Sequence, residues 1–408
     1  MKSKAMFSTA AQPVEDGDRK FTTVERQVIA EGAAWGVINT LNDGSLGLIY
    51  QKARPIKECK GCNIAMEWVR STDGGKTWSK PVLLSERRGP TGELFLNGPD
   101  GGFVALQDRN QAFGQLPSGR IVVSFARLNY SYKKTGKQVI HADTGFGFEP
   151  QGIWYCWSDD WGKTWTKPQA MDTSLVSKKA VSPHWRIINL PDGTALMSVY
   201  GMYNQDYKGP VKVPEGTQKL CAVFRSKDNG KTWGDPSVLM TATDKGIYEE
   251  TALCLLSSKV LLAHVRKPGG NTDQYASTDF GRTWQASGAL TPGNQHPGGA
   301  FQLKSGRLMA TWGSRQSPLG AGAMITDAGG SWDYDRRVSL AWDAPNENCG
   351  YANGAQAKDG SIVVTYYIMR HPGGPDAEGY HNLWLGSKVY IVRFTEKQFL
   401  EVAGITAN

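Results

Sequence analysis

Ser71-Thr-Asp-Gly-Gly-Lys-Thr-Trp78 decides how this chain is read, because it recurs as Ser158-Asp-Asp-Trp-Gly-Lys-Thr-Trp165, Ser226-Lys-Asp-Asn-Gly-Lys-Thr-Trp233 and Ser277-Thr-Asp-Phe-Gly-Arg-Thr-Trp284. A degenerate copy keeps Asp327, Gly329 and Trp332 at the same spacing but has Ile325 in place of the serine. In such a motif the aspartate caps backbone N–H groups of a turn, the glycine takes a conformation that strains other residues, and the tryptophan packs the next strand. The motif reads as a fold marker rather than as metal ligands or catalytic acids.

A second repeat alternates with the first. Hairpins turn at Leu41-Asn-Asp-Gly44, Leu116-Pro-Ser-Gly119, Leu190-Pro-Asp-Gly193, Leu256-Ser-Ser-Lys259, Leu303-Lys-Ser-Gly306 and Ala357-Lys-Asp-Gly360. In the last copy the Asp-Gly pair predicts a type I′ turn, followed by the β-formers Ile362-Val-Val-Thr-Tyr-Tyr367. Repetition of this kind lets 408 residues form one body. A polar leader, expected to be disordered, occupies residues 1–20, and a single domain spans 21–408.

Composition narrows the function classes. With 40% apolar residues and 48 glycines the chain is globular and turn-rich, and it contains no apolar run long enough to span a membrane. The apolar run near the N-terminus is too short for a signal-peptide core, which leaves the compartment open and favours a cytoplasmic one. A net charge of +8 favours acidic partners, but the basic residues are scattered and form no nucleic-acid stripe. Cys59-Lys-Gly-Cys62 lacks a second pair, so the six cysteines are read as reduced thiols and no metal or other cofactor is expected.

These boxes resemble those of the sialidase superfamily and its bacterial neuraminidase repeats, over nearly the whole chain from Phe21 to Val402. The resemblance implies an all-β, six-bladed β-propeller with four-stranded antiparallel blades, the strand near Val24–Ile29 completing the last blade beside Ser387–Phe394. Such a fold brings the starts of the six hairpins to one axial pocket. Nine residues before each turn's last position stand Trp35, Asn110, His184, Glu250, Pro297 and Tyr351; one further back are Ala34, Arg109, Pro183, Glu249, His296 and Gly350. Seven residues after it stand Gln51, Ala126, Tyr200, Arg266, Gly313 and Tyr367. This polar, titratable ring suits a reactive site.

Tyrosine becomes a nucleophile when a carboxylate takes its proton, and sialidases are the retaining glycosidases that use this pair. The resemblance makes Tyr351 the nucleophile, Glu250 its base with Glu249 the alternative, and Arg266 a clamp on a substrate carboxylate. Arg315 is the candidate for a further clamp and Glu58 or Asp108 for the general acid. The chain also departs from the family: Ala34 stands where the first-blade arginine belongs, and Lys60 where the family has aspartate. Arg109 is the substitute cation and Trp35 a stacking platform for sugar. The implied function is exo-hydrolysis of a terminal acidic sugar, not necessarily sialic acid, on a glycan or glycoconjugate. Two rivals stay open: a propeller-type polysaccharide lyase using His184, His296, Arg186 and Tyr200, and a non-catalytic glycan-binding propeller. The inserts Arg127-to-Gly152, Gly201-to-Lys219 and His371-to-His381 are expected as loops around the pocket. Oligomeric state is not legible.

Overall fold

The computed structural model describes residues 19–56, 61–134, 139, 148–177, 181–243, 249–267, 270–327, 331–370 and 384–406. Glu58, Cys59, Gly329, the leader through residue 18 and the expected loop from His371 to His381 lie outside the described residues. Arg19–Lys20, assigned to the leader from sequence, instead forms a short strand parallel to Val338–Ala341.

Nearly all the regular structure is β. Antiparallel runs follow one another along the chain: Ala33–Thr40, Leu46–Ile56, Gly61–Ser71 and Val82–Ser85; Phe103–Gln115, Ile121–Tyr132, Phe148–Ser158 and Gln169–Ala170; and Ser182–Asn189, Ala195–Met202, Lys219–Ser226 and Gly234–Ala242. Then come Glu249–Leu255, Leu261–Arg266, Thr272–Ser277 and Gln285–Thr291, followed by Gln295–Gln302, Leu308–Ser314, Gly320–Thr326 and Val338–Ala341. Cys349–Gln356, Ile362–Ile368 and Lys388–Phe394 pair in turn, and the early strand Glu25–Glu31 is hydrogen-bonded to the last of them. Short parallel bridges, Ile64 to Gln107 and Trp185 to Ala112, fuse the first three runs into one sheet. A helix, α1 (Glu396–Ala403), closes the chain with a capping box at Thr395 and left-handed Gly404 after it.

The first strands of the runs pack in cyclic order, and Cys349–Gln356 returns to Ala33–Thr40. Side chains tie neighbouring runs where few ladder bonds do. Asn39 donates to the Phe113 carbonyl at 2.6 Å, Asn189 to that of Gln115 at 2.8 Å, and Ser198 to that of Thr251 at 2.6 Å. The Ser257 N–H donates to Gln302 at 2.7 Å, Thr311 to the Ala352 carbonyl at 2.8 Å, and the Ile38 N–H to Asn353 at 2.8 Å. Apolar clusters fill the spaces between runs; in one, Trp68 of the first run meets Phe113 at 5.5 Å and the box residue Trp165 at 5.7 Å, both edge-on.

The Ser-x-Asp motif behaves as its chemistry predicts. Asp73 accepts from the Thr77 N–H at 2.9 Å, the Thr77 hydroxyl at 2.6 Å and the Ser71 hydroxyl at 2.8 Å, while Ser71 accepts from the Gly75 N–H at 2.9 Å. The copies at Asp160, Asp228 and Asp279 repeat this pattern. The hairpin turns differ from expectation. Ala357 and Ser361 close a three-residue loop, and the left-handed residue is Gly360 at φ 88°, while Asp359 keeps an ordinary negative φ. This is a turn followed by a bulge glycine, not type I′. Lys259 takes the same left-handed conformation, φ 66°, without being glycine.

Lys259→Gly removes that strain and is expected to raise unfolding free energy by roughly 1 kcal/mol in urea titration; a loss would show that the lysine side chain stabilises the turn. Asp73→Ala is expected to cost about 1 kcal/mol, the scale of a lost cap. Bonds from Thr77 hold the Asp73 carboxyl down at about 2. Its contribution is therefore full above the unfolded value of about 3.9 and disappears as pH falls through about 2, so wild type and variant converge in stability at strongly acid pH.

Candidate active site

The site is made by irregularities at the start of each first strand. Register slips occur between Ala34 and Val37, Arg109 and Gln111, Pro183 and Ile187, Glu249 and Ala252, Gln295 and Gly298, and Gly350 and Asn353. At these bulges Trp35 (φ 51°), Asn110 (φ 49°), Trp185 (φ 68°), Glu250 (φ 36°) and Tyr351 (φ 50°) are left-handed although none is glycine. A bulge re-aims side chains, and strained non-glycine backbone collects at functional sites. The third run takes in one more residue than the others, so its left-handed residue is Trp185 rather than His184, and Tyr200 stands opposite Ser182. Where the fifth and sixth runs meet, a side chain on left-handed Gly350 would collide with Gly313 Cα at 2.3 Å.

Tyr351, Glu250 and Arg266 come together. The Tyr351 hydroxyl donates to Glu250 Oε1, Arg266 donates to Glu250 Oε2, and Arg266 Nη1 lies 3.2 Å from the Tyr351 oxygen. Burial acts to raise the Glu250 carboxyl, but the Arg266 guanidinium, His184 and the bonds from Tyr351 and Arg266 outweigh it and hold the carboxyl below its ordinary range. Burial and the Glu250 charge push the Tyr351 phenol up. At neutral pH the group is thus phenol, carboxylate and guanidinium, with the phenol already aimed at its proton acceptor. Arg315 stands over the Tyr351 ring at 5.5 Å.

A cavity of about 260 Å³ opens beside this group, lined among others by Trp35, Arg109, Asn110, Tyr200, Lys219, Glu249, Glu250 and Tyr351. Trp35 packs against Tyr351 at 5.6 Å, Tyr367 at 4.8 Å and Trp384 at 5.0 Å. Arg109 stands over Trp35 at 5.1 Å and donates to the Tyr130 hydroxyl. Asn110 donates to Ser182 at 3.1 Å and to the Tyr200 hydroxyl at 3.4 Å.

Other sequence candidates stand elsewhere. His184 and His296 are buried and outside the cavity lining. Burial above all lowers His184 to about 4 and His296 to about 3, so both are neutral; His184 packs on Tyr351 with ring centroids 6.1 Å apart. Arg186 donates to the main-chain carbonyls of Ile38, at 3.5 Å, and Gly354, joining first strands across the axis. Asp108 has no exposed surface, accepts from Ser85 and is paired with Arg127 at 3.2 Å. The insert from Arg127 to Gly152 is not all loop, since Ile121–Tyr132 and Phe148–Ser158 reach into it and supply Tyr130, Phe148 and Pro150 to the cavity. Lys219 and Tyr130 were missed in sequence because neither stands at a repeat position.

The family described as BNR repeat-like domain matches residues 109–368. The chain belongs to that family, as a divergent member of the sialidase superfamily, and its fold is of the β-propeller type. A sialidase of Bacteroides fragilis (strain YCH46) is 25% identical over 243 residues, which is 53% of this chain and 36% of that relative's length. A protein of unknown function from Dyadobacter fermentans DSM 18053 matches in structure with TM-score 0.65 and 20% identity, over 93% of this chain and 99% of the other. The intramolecular trans-sialidase from Ruminococcus gnavus matches with TM-score 0.58 and 14% identity, over 94% and 99%.

Arg266 and Glu250 expose only 11% and 6% of their side chains. Removing one partner strands the other charge, so Arg266→Met is expected to destabilise by about 3–5 kcal/mol, and the double variant Arg266→Met/Glu250→Gln by clearly less than the sum of the single variants. Denaturant melts of the four proteins measure this; strict additivity would mean that the pair is not energetically coupled.

Proposed function

We propose that this protein is an exo-acting glycoside hydrolase for a terminal acidic sugar, working on the axis of a six-bladed propeller with four-stranded blades. The observation that carries the reading is the Tyr351–Glu250–Arg266 group, in which Tyr351 and Glu250 line the cavity and Arg266 pairs with Glu250. The cyclic packing of the first strands supports the blade count. Tyr351 attacks the anomeric carbon as its proton passes to Glu250, whose ionised state the Arg266 guanidinium maintains; splitting the displacement in this way is nucleophilic catalysis. A cavity near the small end of the ligand range, roughly 300–1,000 Å³, suits one terminal residue.

Cations favour an acidic sugar. Arg109 and Lys219 line the cavity, and a substrate carboxylate makes strong charge-assisted bonds with such cations. With Ala34 buried in the first run, Arg109 over Trp35 supplies positive charge from a different side. That shift agrees with a uronic or related acidic sugar as well as with sialic acid. The histidine-based lyase finds less support, since neither imidazole lines the cavity.

Tyr351→Phe is expected to lower kcat/KM by about 10³-fold on any glycoside the wild type cleaves, within the range such groups supply. Release of 4-nitrophenol from acidic 4-nitrophenyl glycosides measures it. An unchanged rate would sink the nucleophile assignment, and an unsaturated, ultraviolet-absorbing product would replace hydrolysis with elimination.

A further inference from the structure

Glycoside cleavage also needs a proton for the departing oxygen, and the sequence offered Asp108 or Glu58. Asp108, in the strand Phe103–Gln115, is fully buried against Ser85 and Arg127 and does not line the cavity. Glu249 does. In a regular strand Glu249 and Glu250 would face opposite sides of the sheet. At the bulge between Glu249 and Ala252, with Glu250 left-handed, that alternation is broken, and Glu249, Glu250 and Tyr351 all line the cavity.

We propose that Glu249 is the general acid/base of the hydrolase reading above, on which this inference rests. In the first step the Glu249 carboxyl gives its proton to the glycosidic oxygen as the C–O bond breaks; the Tyr351 oxygen bonds to the anomeric carbon and the phenolic proton moves to Glu250. In the second, the Glu249 carboxylate takes a proton from water, the water oxygen bonds to the anomeric carbon, and the departing Tyr351 oxygen recovers the proton from Glu250. Both carboxyls end as they began.

The surroundings fit these different duties. Burial and the neighbouring Glu250 charge push Glu249 up to about 6, against Arg266 in its own sheet and Lys219 from the preceding run, while Arg266 holds Glu250 down. Tyr200 and Cys221 of that preceding run also face Glu249, and burial keeps both protonated. Adjacent carboxyls with titrations driven apart are how an acid and a base are distinguished in one site.

The test compares wild type, Glu249→Gln and Glu249→Asp on a 4-nitrophenyl glycoside and the methyl glycoside of the same acidic sugar, chosen from a panel of uronides and N-acetylneuraminides. The acid must be protonated, so wild-type kcat/KM on the methyl glycoside is expected to fall as pH rises through about 6. Glu249→Gln should lose about 10²–10⁴-fold on the methyl glycoside and far less on the 4-nitrophenyl one, whose leaving group needs no proton. It should also lose the alkaline limb, which Glu249→Asp retains at reduced rate. Equal losses on both substrates with the limb intact would overturn the inference while leaving the Tyr351 reading in place. A folded wild type that cleaves nothing in the panel would overturn the hydrolase reading and this inference together.

Discussion

The structure depends on a backbone constraint: an extra residue near the start of every first strand, with a left-handed side-chain-bearing residue at Trp35, Asn110, Trp185, Glu250 and Tyr351. Each costs on the order of 1–2 kcal/mol relative to glycine, and regular strands would avoid the cost. What the bulges provide is direction. Without them Tyr351 and Glu250 would be committed to the ordinary alternation of a strand, and Glu249 and Glu250 would part. Strain that the local sequence does not favour is retained where the surrounding structure over-determines it.

That over-determination comes from outside the site. At the periphery each Ser-x-Asp box satisfies its own turn and sends a tryptophan into the space between runs, as Trp165 does against Trp68. Nearer the axis, Asn39, Asn189, Ser198, Thr311 and Asn353 bond main-chain groups of neighbouring first strands, and Arg186 reaches two carbonyls across the centre. An arginine that the sequence placed in the cluster of the lyase alternative is thus part of what holds the ring of strands. Rigid supports of this kind let a buried carboxylate, guanidinium and phenol keep one arrangement.

Repeats made much of this readable. The boxes and hairpins marked the strands because their chemistry is local: an aspartate caps the turn in which it sits. Alignment on the turn residue then brought Tyr351, Glu250 and Arg266 into one group, since equal spacing in equal units means equal depth. The same counting failed at His184, because the third run contains an additional bulge residue that no composition signal announces. It also missed Lys219 and Tyr130, which reach the cavity from positions outside the repeat.

The sequence by itself determined the β architecture, the family and the identity of a tyrosine–glutamate–arginine group, because each is written in short-range motifs repeated at fixed intervals. Only the tertiary structure decided which side of a strand those residues face, that Asp108 is sealed away while Glu249 reaches the cavity, and that the two adjacent glutamates sit in opposed electrostatic surroundings. Those outcomes depend on bulge geometry and on desolvation by distant parts of the chain, and neither is encoded in any single stretch of residues.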